Sequence, residues 1–116
     1  MEKKRIEQEL KKYKEMGLSS CQMYQIQWGL EAGIDVTKYA DPKFYYEQMV
    51  SLRLGLVHEV DVDTYADPKF NWRQMEEIRR GLEEGVDVSR YADPKYTWQQ
   101  MRKIYLDLAP DETAKS

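Results

Sequence analysis

Residues 74–96 read QMEEIRRGLEEGVDVSRYADPKY, and this stretch decides the fold. Met75, Ile78 and Leu82 are spaced by three and four, which sets one apolar stripe on a helix. Gly85 stands where a glycine ends a helix in a left-handed turn. Asp87 then caps one short helical turn carrying Tyr91. Pro94 forces Asp93 out of the α region and stops that turn. The stretch is therefore a long helix, a short turn and an extended link.

The same pattern lies on both sides of it, in steps of 26 residues. Tyr-Ala-Asp-Pro-Lys recurs at 39–43, 65–69 and 91–95, and Gln-Met at 22–23, 48–49, 74–75 and 100–101. Apolar positions 26 and 30, 52 and 56, 78 and 82, and 104 and 108 repeat the buried stripe. Each helix has a written start. Ser19, Asn71 and Thr97 are good N-caps, and Gln22, Gln74 and Gln100 three residues later complete capping boxes. Leu18, Phe44, Phe70 and Tyr96 precede the caps and form hydrophobic staples with Met23, Met49, Met75 and Met101. The second copy departs twice, with Tyr45 at the cap and Glu59 at the terminating glycine. Helices are expected over 20–32, 46–58, 72–84 and 98–108.

One such unit cannot bury its own apolar face, whereas stacked units can. The expected fold is all-α: a small α-solenoid of tandem helical repeats, three full and one partial, over 17–109. Residues 1–16 form an N-terminal capping helix with Ile6, Leu10 and Tyr13 on one stripe, and 110–116 are a polar tail. Strand signals are missing, and so is the Leu-x-x-Leu-x-Leu pattern of leucine-rich repeats.

Bulk properties narrow the function. At 116 residues there is room for one domain. The net charge of −3 gives no basic footprint for nucleic acid. No apolar run approaches a membrane span, and the charged start lacks the apolar core of a signal peptide. A single cysteine, Cys21, cannot form an internal disulfide, so a cytoplasmic setting is expected.

The string QMxxIxxGLxxGxDVSxYADPxF resembles repeats found in proteins of gut Firmicutes, often near mobile elements. The resemblance spans roughly residues 18–109 and is best over Gln74 to Tyr96. It implies a helical repeat in a bacterial or phage setting and brings no activity or catalytic residues with it.

No residue set makes a convincing catalytic site, no cofactor is called for, and the chain is read as a non-enzyme. Cys21, in the first turn of a helix, and His58, the single histidine, lack a third group to orient them. Asp61, Asp63 and Asp67 alternate as calcium ligands do, but without the central Gly and final Glu of an EF-hand. Capping and turn formation explain them better, so no metal is expected. Tyr39, Tyr65 and Tyr91 are read first as packing residues over Gly29, Gly55 and Gly81, with their hydroxyls reaching water or a partner.

Positions that differ between copies say more about binding. A second helical stripe carries Tyr24 and Trp28, then Val50 and Leu54, then Glu76 and Arg80, then Arg102 and Leu106. Tyr24, Trp28, Val50, Leu54 and Leu106 are the candidate partner surface, since contiguous exposed apolar groups mark interfaces. The alternative is that the N-terminal helix covers Tyr24 and Trp28. Leu54 is expected to be partly exposed. The preferred function is a non-catalytic protein–protein interaction module, with a homodimer as one possible form. Two rivals stand beside it. One is a phage or mobile-element inhibitor of a bacterial defence system, such as an anti-CRISPR. The other is a small-molecule or nucleotide sponge with pockets between units.

Overall fold

Five α-helices occur among the described residues: α1 Glu2–Glu15, α2 Ser20–Glu31, α3 Tyr46–Val57, α4 Trp72–Glu83 and α5 Trp98–Leu108. One-turn 3-10 helices at Val36–Lys38, Val62–Thr64 and Val88–Arg90 follow α2, α3 and α4. This computed structural model describes residues 2–108, and no strand occurs among them. The expected polar tail at 110–116 lies outside the described residues. So does Ala109, the last residue of the expected repeat region.

The helix starts follow the cap chemistry. Gln22 N–H donates to Ser19 Oγ at 3.3 Å and Gln74 N–H to Asn71 Oδ1 at 2.9 Å. Ser19 N–H and Asn71 N–H donate back to the glutamine side chains, so both boxes close. Tyr45 has no cap side chain to offer. It makes only the reciprocal half, its N–H donating to Gln48 Oε1 at 2.7 Å. Gly33 and Gly85 end α2 and α4 with φ of 75° and 74°, and Glu59 is held at φ 61° in the same place. A side chain in that left-handed region costs roughly 1–2 kcal/mol.

Neighbouring helices α2 to α5 run side by side and parallel. A contact that the capping pattern does not reveal joins their starts. Gln22 Nε2 donates to Pro42 O at 3.3 Å and Phe44 O at 2.7 Å, so the start of α2 is tied to the entry of α3. Gln48 does the same to Pro68 O and Phe70 O, and Gln74 to Pro94 O and Tyr96 O. One amide therefore closes a cap with its oxygen and joins two helices with its nitrogen. Glutamate could do only the first. α1 lies antiparallel on α2, buries Ile6 and Tyr13, and half-buries Leu10.

The connectors return along one side of the helix row. Asp35, Asp61 and Asp87 cap the 3-10 turns by accepting from Thr37, Asp63 and Ser89 N–H at 3.1–3.2 Å. Asp41, Asp67 and Asp93 each accept from the N–H two residues on, at Lys43, Lys69 and Lys95. The turns thread Tyr39, Tyr65 and Tyr91 into the core, where all three are fully buried. Their hydroxyls do not reach water or a partner. They donate to Gln25 O, Ser51 O and Glu77 O at 2.7, 2.9 and 3.2 Å. Burial pushes these phenols well above their ordinary range. Each ring packs over the glycine column. A Cβ on Gly55 would overlap the Tyr65 hydroxyl and lie 2.7 Å from Val62 Cγ1. The mid-helix glycines thus make room for a tyrosine.

Candidate functional site

The connector side is closed by these tyrosines, and the opposite side of the helix row carries the variable stripe. Tyr24 and Trp28 are 57% and 43% exposed, so α1 does not cover them. They meet edge to face, with ring centroids 5.0 Å apart. Val50 and Leu54 are half-buried on α3. Leu106 is exposed on α5, and α4, with Glu76 and Arg80 on its stripe, lies between it and α3. The structure thus brings Tyr24, Trp28, Val50 and Leu54 onto adjacent helices and leaves Leu106 apart.

A further aromatic column lies on the same side. Tyr46, Trp72 and Trp98 occupy the first position of α3, α4 and α5. Tyr46 and Trp72 are 44% and 40% exposed, and Arg73 lies over both the Trp72 and Trp98 rings at 4.8 and 5.4 Å. The signal was present in the sequence as an aromatic after the last three caps at 26-residue spacing, with Ser20 in the first copy. Its meaning was hidden because the cap and staple readings already accounted for the flanking positions.

The seams between helices differ in how they are filled. Between α2 and α3, Arg53 lies over the Trp28 ring at 4.8 Å, and its Nε–H donates to Gln25 Oε1 at 2.9 Å. Between α3 and α4 the same columns hold Leu54, Ser51 and Arg79. A groove of about 190 Å³ opens there, lined by Val50, Ser51, Leu54, Trp72 and Arg79 with Glu47 and Glu76 at its edge. Arg79 donates to Glu83 Oε2 at 2.8 Å and Glu76 Oε1 at 3.4 Å through its terminal nitrogens. Its Nε and the Ser51 hydroxyl are buried with no hydrogen-bond partner among the described residues. Glu77 Oε1, further along the Ser51 column, is in the same condition. Burial raises the Glu77 pKa, partly opposed by Arg80 and Arg102.

The residues weighed for chemistry have other occupations. His58 Nδ1 lies 2.6 Å from Glu83 Oε2, beyond the end of α3, while Cys21 is exposed in the first turn of α2. Burial raises the Glu83 pKa, but hydrogen bonds from His58 and Arg79 outweigh it and hold the carboxyl below its ordinary range. Asp63 pairs with Lys38 at 3.0 Å, while Asp61 and Asp67 serve the cap and turn above. No cluster of three or more His, Cys, Asp or Glu that could hold a metal occurs among the described residues. No helix among the described residues is long and apolar enough to cross a membrane. No protein-family model matches this chain, and neither a curated protein nor a solved structure does.

Proposed function

We propose that the chain is a small α-solenoid that binds another protein through the outer side of its helix row. In this reading residues 1–16 cap the stack, 17–109 are the repeats and 110–116 a tail. The observation that carries it is the outer surface of α2, α3 and α4, which exposes or half-exposes Tyr24, Trp28, Tyr46, Val50, Leu54 and Trp72. Aromatic anchors beside aliphatic grooves are what interface hot spots are made of. On the opposite side the recurring tyrosines Tyr39, Tyr65 and Tyr91 are buried and hydrogen-bonded, so they offer a partner nothing. A cytoplasmic inhibitor of a bacterial defence complex is one form this module takes, and the resemblance to mobile-element repeats favours it. The sponge reading stands second: a groove of about 380 Å³ at the α3–α4 junction, lined by Tyr45, Gln48, Lys69 and Trp72 among others, falls in the roughly 300–1,000 Å³ range of small-ligand pockets.

Leu54→Glu tests the proposal. It should keep the far-ultraviolet circular dichroism of the parent chain. It should abolish capture of the partner from the lysate of the cell that makes the protein, or shift a dimer to monomer in sedimentation equilibrium. Unfolding of the variant would move Leu54 into the core. Unchanged capture and unchanged mass would move the binding surface elsewhere, with the edge carrying Lys43, Lys69 and Lys95 as the next candidate.

A further inference from the structure

We infer that the open seam between α3 and α4 takes an arginine side chain from the partner protein, its guanidinium laid against the Trp72 ring and paired with the Glu47 carboxylate. This assignment rests on the protein-binding reading and adds the chemistry of the contact. The two neighbouring seams each hold an arginine on a tryptophan. Between α2 and α3, Arg53 lies over the Trp28 ring at 4.8 Å. Between α4 and α5, Arg73 lies over both the Trp72 and Trp98 rings, at 4.8 and 5.4 Å. The middle seam has the tryptophan without the arginine. The column that gives Trp98 to α5 and Trp72 to α4 gives Tyr46 to α3, and the next column gives Arg73 to α4 but Glu47 to α3. Arg79, which repeats Arg53, has a side chain only 13% exposed and is held by Glu76 and Glu83.

Both anchors are open to an incoming group. Trp72 is 40% exposed and Glu47 is exposed, and the two residues line both grooves of the seam, of about 380 and 190 Å³. Arg73 lines neither groove, so the α3 side of Trp72 is left open. A glutamate in the first turn suits the helix dipole. The equivalent residues are Cys21, Arg73 and Gln99, however, so the fold does not require an acid there. Glu47 makes no ion pair among the described residues, although Lys69 lines the larger groove with it. In the smaller groove the single Arg79 charge is already answered by Glu76 and Glu83, which leaves the Glu47 charge uncompensated. The seam therefore disfavours an acidic side chain and favours a cation. Arginine suits it better than lysine. A planar guanidinium stacks on an aromatic face and meets a carboxylate through two N–H groups at once, whereas an ammonium is compact and strongly hydrated.

Acetyl-arginine amide tests this on the intact chain, with acetyl-citrulline amide, its neutral isostere, as the control. In a nitrogen-15 NMR titration the Trp72 indole N–H resonance should move saturably with acetyl-arginine amide. Acetyl-citrulline amide should bind about tenfold more weakly, having neither a cation for the ring nor a charge for Glu47. Glu47→Arg should supply the guanidinium from within, as Arg73 does in the next seam, and abolish the response. Should Glu47→Arg not fold, Glu47→Gln, which keeps the size and removes the charge, is expected to weaken binding severalfold instead. A Trp72 indole indifferent to acetyl-arginine amide overturns the inference. So does an equal response to acetyl-citrulline amide, or an undiminished response in a folded Glu47 variant. A response confined to Trp28 overturns it as well, since the guanidinium would then sit on α2. The titration needs no partner, so its failure leaves the Leu54→Glu experiment free to support the binding surface itself.

Discussion

The second and third copies of the sequence share their inner columns and connectors and differ most along the outer stripe and at the helix ends. On the connector side, Gly55 and Tyr65 repeat as Gly81 and Tyr91, Met49 as Met75, and Gln48 as Gln74, with the same hydrogen bonds. On the outer side Val50, Ser51 and Leu54 become Glu76, Glu77 and Arg80. The ends differ too, Tyr45 and Glu59 standing where the third copy has Asn71 and Gly85. Close packing explains the division. A buried tyrosine seated over a glycine leaves no freedom at either position, so every copy must solve that contact in one way. The outer columns meet only a neighbouring helix and solvent. They can lose contacts without loss of the row, and the second copy has lost the most.

The strongest challenge to this division is an inner change. Gly55→Leu places a branched side chain where Tyr65 and Val62 already lie. We expect a loss of about 3 kcal/mol or more, by overpacking and by displacement of the Tyr65 hydroxyl from Ser51 O. Urea denaturation reads it directly, and an unchanged midpoint would remove the close contact from the account.

Next in size is Gln74→Glu. It retains the acceptor for the Asn71 N–H but no longer donates to Pro94 O and Tyr96 O. About 1–2 kcal/mol should be lost, the cost of unpairing partly buried acceptors. Gln100 accepts the Thr97 N–H at 2.9 Å and makes no second contact of this kind among the described residues, so Gln100→Glu should be close to neutral. Equal losses in the two variants would mean that capping alone is the role of the column.

Glu77 sharpens the outer half of the comparison. Its raised pKa means that the folded chain holds the proton more tightly than the unfolded chain. The penalty is therefore absent below the unfolded value, near pH 4, and grows as pH rises through the folded value. Glu77→Gln copies Gln25 of the first copy and should add about 1 kcal/mol at neutral pH. The two chains should converge in stability below about pH 4. A constant difference across pH would assign the effect to packing instead of charge.

The smallest effects concern the ends of α3. Glu59→Gly relieves a left-handed backbone and should raise stability by about 1 kcal/mol. Tyr45→Asn supplies the missing cap to a residue that is 75% exposed and should add up to about 1 kcal/mol. Thermal melts of the single and double variants should show additive gains, because the two sites lie at opposite ends of the helix. A loss at Tyr45→Asn would give Tyr45 a packing role that its exposure does not suggest.

Much of this molecule was legible in one dimension. Caps, staples and terminating residues are local, so the sequence placed each helix within one residue of where it lies. The glycine column was legible because a mid-helix glycine has a cost that only close packing offsets. The aspartates of the connectors act on N–H groups two residues away, which is again local. The contacts between copies were not legible. A period of 26 residues says which positions are equivalent, but it does not say which columns face each other across a seam. That residue 25 reaches residue 53, and 51 falls short of 79, depends on how parallel helices lie side by side. The second role of Gln22, Gln48 and Gln74 was hidden for the same reason, as their acceptors lie 20 and 22 residues away. The exposure of Trp28 needed the seating of α1 on α2, which amphipathicity leaves open because an amphipathic helix can dock at more than one angle. Sequence alone determined where the helices begin and end, since capping and turn chemistry act within a few residues. Tertiary structure alone decided which seam is closed and which is open, since that depends on side-chain reach across a gap between helices.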